Sequence, residues 1–279
     1  MIKRKDIACT VVLYNPDFNV INNVKKISNL LNHTVLIDNS TKNNADLFKK
    51  IPKTEYIPLE KNTGIAHATN IGISRTKEPY IITMDQDSTI SSDLIDAYLN
   101  FLNYKDHKDI GALTPLYETD RKHVKRKDIN KKVLLSMQSG TLFKRSIFSK
   151  IGLFNEDLFL DVVDWEYFLR MNKNGLKLMQ INQAVLTHQP AVTKAINLGL
   201  IKLKYGTASP VRYYYQARNL LWTARKYNSG SLYATLVIKW LKIVLLFNNK
   251  KVYLRLFKQG LKDASNDKLG KYISNRDQI

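Results

Sequence analysis

Apolar and polar positions alternate between two rhythms along the first hundred residues. Residues 7–14, "IACTVVLY", are continuously apolar or β-branched and predict a fully buried strand. Residues 17–31 place Val20, Val24, Ile27, Leu30 and Leu31 three and four apart, which predicts an amphipathic helix. The strand pattern returns at 33–40, 54–60 and 79–85, and helical spacing at 45–51, 64–76 and 91–104, the last opened by Ser91 or Ser92 as cap. Strands separated by helices imply a parallel sheet with crossover connections, and unbroken apolar strands imply a sheet covered on both faces.

The rhythm loosens afterwards. Residues 109–118 offer another strand, 119–132 form a charge-rich loop without periodicity, and 133–156 read as a strand, a Ser-Gly turn and a short helix. Residues 176–191 give one or two strands ending at His188, and the remainder reads as longer helices. The expected organisation is an α/β domain over residues 1–193 and a basic helical extension over 194–279.

In such sheets ligands bind beyond the carboxyl ends of the strands. The polar groups expected there are Tyr14-Asn15, Asp38-Asn39-Ser40 and Asp85-Gln86-Asp87. Two carboxylates one residue apart after a buried strand suit Mg²⁺ or Mn²⁺, which take one or two carboxylates together with phosphate oxygens. A second acidic group, Asp161, Asp164 and Glu166, precedes a helix; it offers either a general base or ordinary capping of the helix dipole. His188, after an apolar strand, is either a loop histidine or a metal ligand.

Charge adds a partner question. The net charge is +20, and residues 194–279 carry 17 Lys plus Arg against 3 Asp and no Glu. Nucleic acid, an anionic membrane surface and phosphorylated ligands are the classes such a balance suggests. Residues 231–247 are strongly apolar but short and interrupted by Lys239 and Lys242, which argues against a membrane span. The following segment sets Lys251, Arg255, Lys258 and Lys262 on one helical face and Leu254, Phe257 and Leu261 on another. It reads either as a helix lying on an anionic leaflet or as one packed on the core. The single cysteine, Cys9, excludes an internal disulfide and fits a reducing compartment; no signal peptide is read at the N-terminus, so a cytoplasmic location is expected.

Six stretches in order, "TVVLYNPD", "VLIDNS", "NTGIAHATNIGI", "ITMDQDS", "SGTLFKRSIFSKIGLFNEDLFLDVVDWEYFLR" and "LTHQP", resemble the inverting nucleotide-sugar glycosyltransferases of family 2, which have the GT-A fold. Within that family the sequence is most similar to bacterial rhamnosyltransferases of cell-surface polysaccharide synthesis. The resemblance implies a Rossmann-like, mostly parallel sheet. It makes Asp85 and Asp87 the family's DxD, on a divalent metal and the donor diphosphate beside Gln86, with His188 completing the metal shell. Residues 11–14, Val12 and Tyr14 among them, would line the nucleoside pocket, and Asp38 would accept from the pyrimidine N–H. Asn62, Gly64, Ala66 and Asn70 would stand at the helix start facing the phosphates, and Ser139 and Gly140 beside the donor sugar or acceptor. Asp164 aligns with the catalytic base, although Val163 stands where many members have Glu, so Glu166 and Asp161 remain rivals. Arg218 would contact the diphosphate or form a structural ion pair.

The implied activity is transfer of a sugar, L-rhamnose from dTDP-rhamnose first and a UDP-hexose second, onto a glycan acceptor carried on a lipid. The anionic inner face of the cell membrane and a second copy are further expected partners. A nucleotidyltransferase would bring a glycine- and arginine-rich phosphate loop that "TVVLYNPD" lacks. No nucleic-acid partner is expected, because a carboxylate-rich crevice repels phosphates unless metal is bound.

Overall fold

The computed structural model describes residues 1–104, 107–119, 129–188, 193–198 and 201–273, with the backbone alone for the strand residues between 188 and 205. Residues 120–128, the greater part of the charge-rich loop expected over 119–132, lie outside the described residues. The chain divides into two compact units, Met1–Phe154 with Tyr167–Pro190, and Asn155–Glu166 with Ala191–Ile279. Residues 155–166, expected within the first domain, belong to the second unit.

The first unit opens with β1 (Ile7–Leu13), α1 (Phe18–Leu30), β2 (Thr34–Asp38), α2 (Ala45–Phe48), β3 (Thr54–Pro58), α3 (Ile65–Arg75), β4 (Tyr80–Asp85), the two-residue β5 (Ser88–Thr89) and α4 (Ser92–Tyr104). It continues with β6 (Ile110–Glu118), β7 (Lys131–Val133), β8 (Thr141–Lys144), α5 (Arg145–Ile151), α6 (Val163–Lys173), whose first residues fall in the second unit, and β9 (Lys177–His188).

The sheet order is β3-β2-β1-β4-β8-β6-β9-β5, with β7 on β9. The first four strands are parallel. β8 runs antiparallel to both β4 and β6, so the sheet is mixed rather than parallel throughout. β1 lies between β2 and β4, and every one of its residues is buried, as its unbroken apolar run requires. β3 is an edge strand, half-buried throughout, and tolerates Pro58 for that reason. α1 starts at Asp17, whose carboxylate accepts from the N–H groups of Asn19 and Val20. α3 crosses β1 at Gly72, where a Cβ would stand 1.7 Å from Thr10 Oγ1, so only glycine permits that approach.

In the second unit β10 (Thr193–Leu198) and β11 (Ile201–Gly206) form an antiparallel hairpin where only helix was expected. Three helices follow, α7 (Pro210–Tyr227), α8 (Gly230–Leu246) and α9 (Lys250–Ser265). α7 is capped by Ser209, starts on Pro210 and ends at Asn228 in the left-handed region. α7 and α9 touch at Gly260, where a Cβ would lie 2.4 Å from the Tyr214 carbonyl oxygen. Leu254, Phe257 and Leu261, the apolar face of α9, pack with Tyr213, Ala217, Ile243 and Phe247. The expected amphipathic helix therefore spends its apolar side inside the unit, with Lys251, Arg255, Lys258 and Lys262 exposed.

Candidate active site

The chain leaves β1 towards β2 and β3 on one side and later sets β4 on the other, so strand order reverses at β1. At such a reversal the loops beyond the strand ends diverge and leave a crevice. Register aligns its walls: Leu13 pairs with Asp38, and Val12 with Asp85. Tyr14 follows β1 with its ring half-exposed, while Val12 is buried in a cluster with Val35, Ile37 and Ala68.

Asp38 is 1% exposed, and its carboxylate already has four internal donors. They are Ser40 N–H and Oγ on one oxygen, and Asn44 Nδ2 at 2.8 Å and Tyr56 Oη at 2.6 Å on the other. A carboxylate offers about four acceptor sites, so this set is complete. Burial and the bond to Asp38 push the Tyr56 hydroxyl above its ordinary pKa, which keeps it a donor. Asn39, which the sequence offered only as a polar strand end, ties the two loops together. Its Oδ1 accepts from Thr63 N–H at 2.8 Å, and its Nδ2 donates to Asn62 Oδ1 at 3.2 Å and to the Gly64 carbonyl at 3.3 Å. Asn62 Oδ1 also accepts from Gly64 N–H at 3.0 Å. Gly64 has φ 90°, a conformation that favours glycine, and it turns the chain into α3 with buried Ala66 in the first turn. Asn70 sits one turn further, but its amide is committed elsewhere: Nδ2 donates to the Phe154 carbonyl at 2.9 Å and Oδ1 accepts from Phe154 N–H at 3.0 Å.

Gln86 and Asp87 form the tight turn between β4 and β5. Gln86 Oε1 accepts from Tyr14 N–H at 2.8 Å, and Nε2 donates to the Tyr14 carbonyl at 3.0 Å. The Gln86 amide thus fastens β1 to the turn rather than standing open. Asp87 is exposed and Asp85 half-buried. Asp85 N–H donates to Ser139 Oγ at 3.0 Å, and that hydroxyl donates to Ser88 Oγ at 2.8 Å, so fully buried Ser139 supports the turn from behind. Gly140, with φ 76°, passes between the Thr83 carbonyl and the Tyr98 hydroxyl.

A residue the sequence reading passed over stands next to it. Gln138 is 8% exposed and donates through Nε2 to Asp85 Oδ1 at 2.7 Å, while its buried Oε1 has no partner among the described residues. His188 is described in its backbone only. That backbone pairs with Ser88, so its Cα lies across the ladder from the residue after Asp87. No group of three His, Cys, Asp or Glu among the described residues forms a ready metal cage. Two carboxylates across a turn, with an orphan amide oxygen beside them, are nonetheless a hard oxygen donor set that fits Mg²⁺ or Mn²⁺, ions that keep several waters and take the rest of their shell from substrate phosphates.

In the second unit, three carboxylates near the start of α6 have separate fates. Glu166 is fully buried; its Oε1 accepts from Tyr227 Oη at 2.6 Å and faces Lys226 Nζ at 3.4 Å. Asp161 is held by Arg212 in two bonds of 3.1 and 2.7 Å. Asp164 is half-exposed in the first turn of the helix, with Oδ1 accepting from Trp165 N–H at 2.9 Å. The loop before it is strained: Phe159, Asp161 and Val162 have φ of 60°, 61° and 67°, and a β-branched residue is rare there. Asn219 holds that loop, its Nδ2 2.8 Å from the Leu158 and Leu160 carbonyls and 2.9 Å from that of Asp161. Arg218 is 1% exposed, donates to the carbonyls of Gly270 at 2.7 Å and Leu158 at 3.0 Å, and lies over the rings of Tyr214 and Tyr215. So enclosed, Arg218 has its described hydrogen bonds to these backbone carbonyls and to the Asn219 amide oxygen at 2.9 Å.

A mixed sheet with a carboxylate turn at its switch point defines the fold class of the GT-A glycosyltransferases. The model of glycosyl transferase family 2 matches residues 19–160, half of the chain, and the chain belongs to that family. It is 28% identical to dTDP-rhamnosyl transferase RfbF of Shigella flexneri over 243 residues, 79% of this chain and 80% of that one. It is 30% identical to poly-beta-1,6-N-acetyl-D-glucosamine synthase of Staphylococcus aureus, over 29% of this chain and 20% of that protein. Among solved structures it is similar to GalNAc-T7 with UDP, GalNAc and Mn²⁺, at TM-score 0.61 and 13% identity, covering 94% of this chain and 56% of that chain. It is also similar to S. aureus TarS 1–349 in complex with UDP-GlcNAc, at TM-score 0.58 and 11% identity, covering 94% and 83%. The protein is a glycosyltransferase.

Proposed function

We propose that this glycosyltransferase moves L-rhamnose from dTDP-rhamnose onto a hydroxyl of a lipid-linked surface-polysaccharide precursor, with inversion, at the cytoplasmic face of the membrane. The observation that carries the donor is the likeness to a dTDP-rhamnosyl transferase over most of both chains. A UDP-hexose donor is the second reading, favoured by the likeness of the fold to TarS with UDP-GlcNAc.

In this reading the half-exposed Tyr14 ring lies against the base, and the Asp38–Asn39–Asn62 network shapes the nucleoside pocket. For Asp38 to accept from the base N–H, one of its four internal donors must give way. Asp85 and Asp87 would hold the divalent ion, with His188 as a further ligand. An ion held there would supply positive charge beside the departing nucleoside diphosphate. Asp164 takes the proton from the acceptor hydroxyl as that oxygen attacks the anomeric carbon from the face opposite the leaving group. Asp164 is chosen over Asp161 and Glu166 because it aligns with the family's catalytic base, and one in-line displacement inverts the centre.

Calorimetric titration with dTDP-rhamnose, UDP-glucose, UDP-galactose and UDP-N-acetylglucosamine, each with and without Mg²⁺ or Mn²⁺, tests the reading. Metal-dependent binding of dTDP-rhamnose alone is the expected result, lost in Asp87→Ala. Preference for a UDP-sugar moves the donor to the second reading, and binding unchanged by metal or by Asp87→Ala overturns the metal assignment.

A further inference from the structure

The helix whose apolar residues face water is α8. Tyr233, Val237, Ile238, Trp240, Leu241 and Leu245 are all exposed, Leu245 at 70% and Ile238 at 63%. Four of them, Tyr233, Val237, Leu241 and Leu245, are spaced four apart, so they form one row along the helix. Leu232 and Ile243 on the other side are fully buried. A row this long on a single helix is beyond the scattered apolar residues of an ordinary surface.

The two lysines that interrupt the apolar run are turned away from that row. Lys242 Nζ donates to the Gly206 carbonyl. Lys239 is seven residues from Leu232 and four from Ile243, which puts it on the buried side of the helix, and burial lowers its pKa. The outward face of α8 is consequently apolar and uncharged, although its sequence is not. No helix among the described residues is long and apolar enough to cross a membrane. A seventeen-residue helix of this kind instead lies flat, in the plane of an interface.

Charge selects the occupant. Residues 194–279 carry 17 cationic side chains and 3 carboxylates. Exposed Lys250 and Lys251 follow Leu245 within six residues, and Arg255, Lys258 and Lys262 continue the exposed basic face of α9. Two copies meeting through α8 would bring like charges together, whereas an anionic leaflet complements them. Tyr233 and Trp240 add rings of the kind that settle at the headgroup level.

We propose that α8 is the membrane-inserting surface: its apolar row enters the acyl boundary of an anionic leaflet while the basic residues of α9 meet the headgroups. This deepens the membrane-facing part of the proposed function and rests on it.

The test is sedimentation of the full chain with vesicles of equal parts phosphatidylglycerol and phosphatidylcholine, and with phosphatidylcholine alone. Wild type should bind the anionic vesicles and lose binding at high salt. V237E/L241E/L245E should lower that binding at least tenfold with an unchanged thermal melt, and Leu245→Glu alone serves if the triple variant does not fold. Wild-type binding that the substitutions leave intact overturns the assignment to α8 while keeping the membrane reading. No wild-type binding to either vesicle overturns both. A wild-type dimer that the same substitutions dissociate makes the row a contact between copies and overturns the proposal. Donor calorimetry on the same variants reads the transferase site independently.

Discussion

The side-chain amide of Gln86 pairs with both backbone groups of Tyr14, as a neighbouring strand would. β4 has ended at Asp85, yet the pairing of β4 with β1 is carried one residue further by a side chain. The turn that presents Asp85 and Asp87 is thereby fixed to the end of β1. Gln86→Ala leaves both Tyr14 groups to water. The expected cost is about 1–2 kcal/mol by urea unfolding, with donor affinity falling more than stability because the turn is loosened.

Gln138 presents an acceptor with no partner among the described residues, beside a carboxylate. Its amide orientation follows chemically, since the nitrogen must face Asp85. Gln138→Leu removes the bond to Asp85 and an unsatisfied oxygen together. Stability should change little, while donor affinity in the presence of metal should fall by roughly tenfold, about 1.4 kcal/mol. Calorimetry and thermal melting of the same preparation separate the two.

Asp164 and Glu166 should part company on substitution. Asp164→Asn is expected to lower turnover on the order of 10²–10⁴-fold with donor binding unchanged. Tyr227→Phe strips a bond from the buried Glu166 carboxylate, and should cost about 1.5–3 kcal/mol of stability with kcat retained below the melt. Single-turnover kinetics on Asp164→Asn and Glu166→Gln would show which carboxylate sets the rate.

Arg218→Lys should act as a folding variant. The lysine cannot reproduce the fork that serves Gly270, Leu158 and Asn219. Each buried acceptor left stranded costs about 1–3 kcal/mol, so the denaturation midpoint should drop markedly. Donor affinity measured well below that midpoint should stay near wild type; a selective loss of affinity would return Arg218 to the donor site.

Glu78 sets an acid limit on the first unit. Its pKa is lowered: partial burial opposes this, but N–H groups of Glu78 and Lys77 and the His33 ring outweigh it. A carboxylate with a depressed folded pKa stabilises above its unfolded value and loses that contribution as pH falls through the folded one. Glu78→Gln should therefore flatten the loss of stability expected as pH falls from the ordinary glutamate range to below it, measured by urea unfolding at several acid pH values.

The order of strands and helices was legible in the sequence because burial on both faces of β1, β2 and β4 demands unbroken apolar runs, and a helix needs only its own periodicity. The strand-end carboxylates were legible for a similar reason, since nothing in packing calls for Asp85 and Asp87 after five buried residues. Direction and partners were not. β8 inserts antiparallel between β4 and β6, and the hairpin of β10 and β11 replaces expected helix, because pairing is chosen by distant segments. The partners of polar side chains were not legible either: Asn70, Gln86 and Arg218 bond the backbone of Phe154, Tyr14, Leu158 and Gly270, and Asn39 and Gln138 gain their places from loops that meet only when folded. The same holds for the tail. Its sequence determined that apolar and basic residues share helices, but only packing decided that α9 turns its apolar face inward and α8 turns its own to the solvent. A helix can bury one stripe against its neighbours, and which stripe goes inside is fixed by the helices it meets.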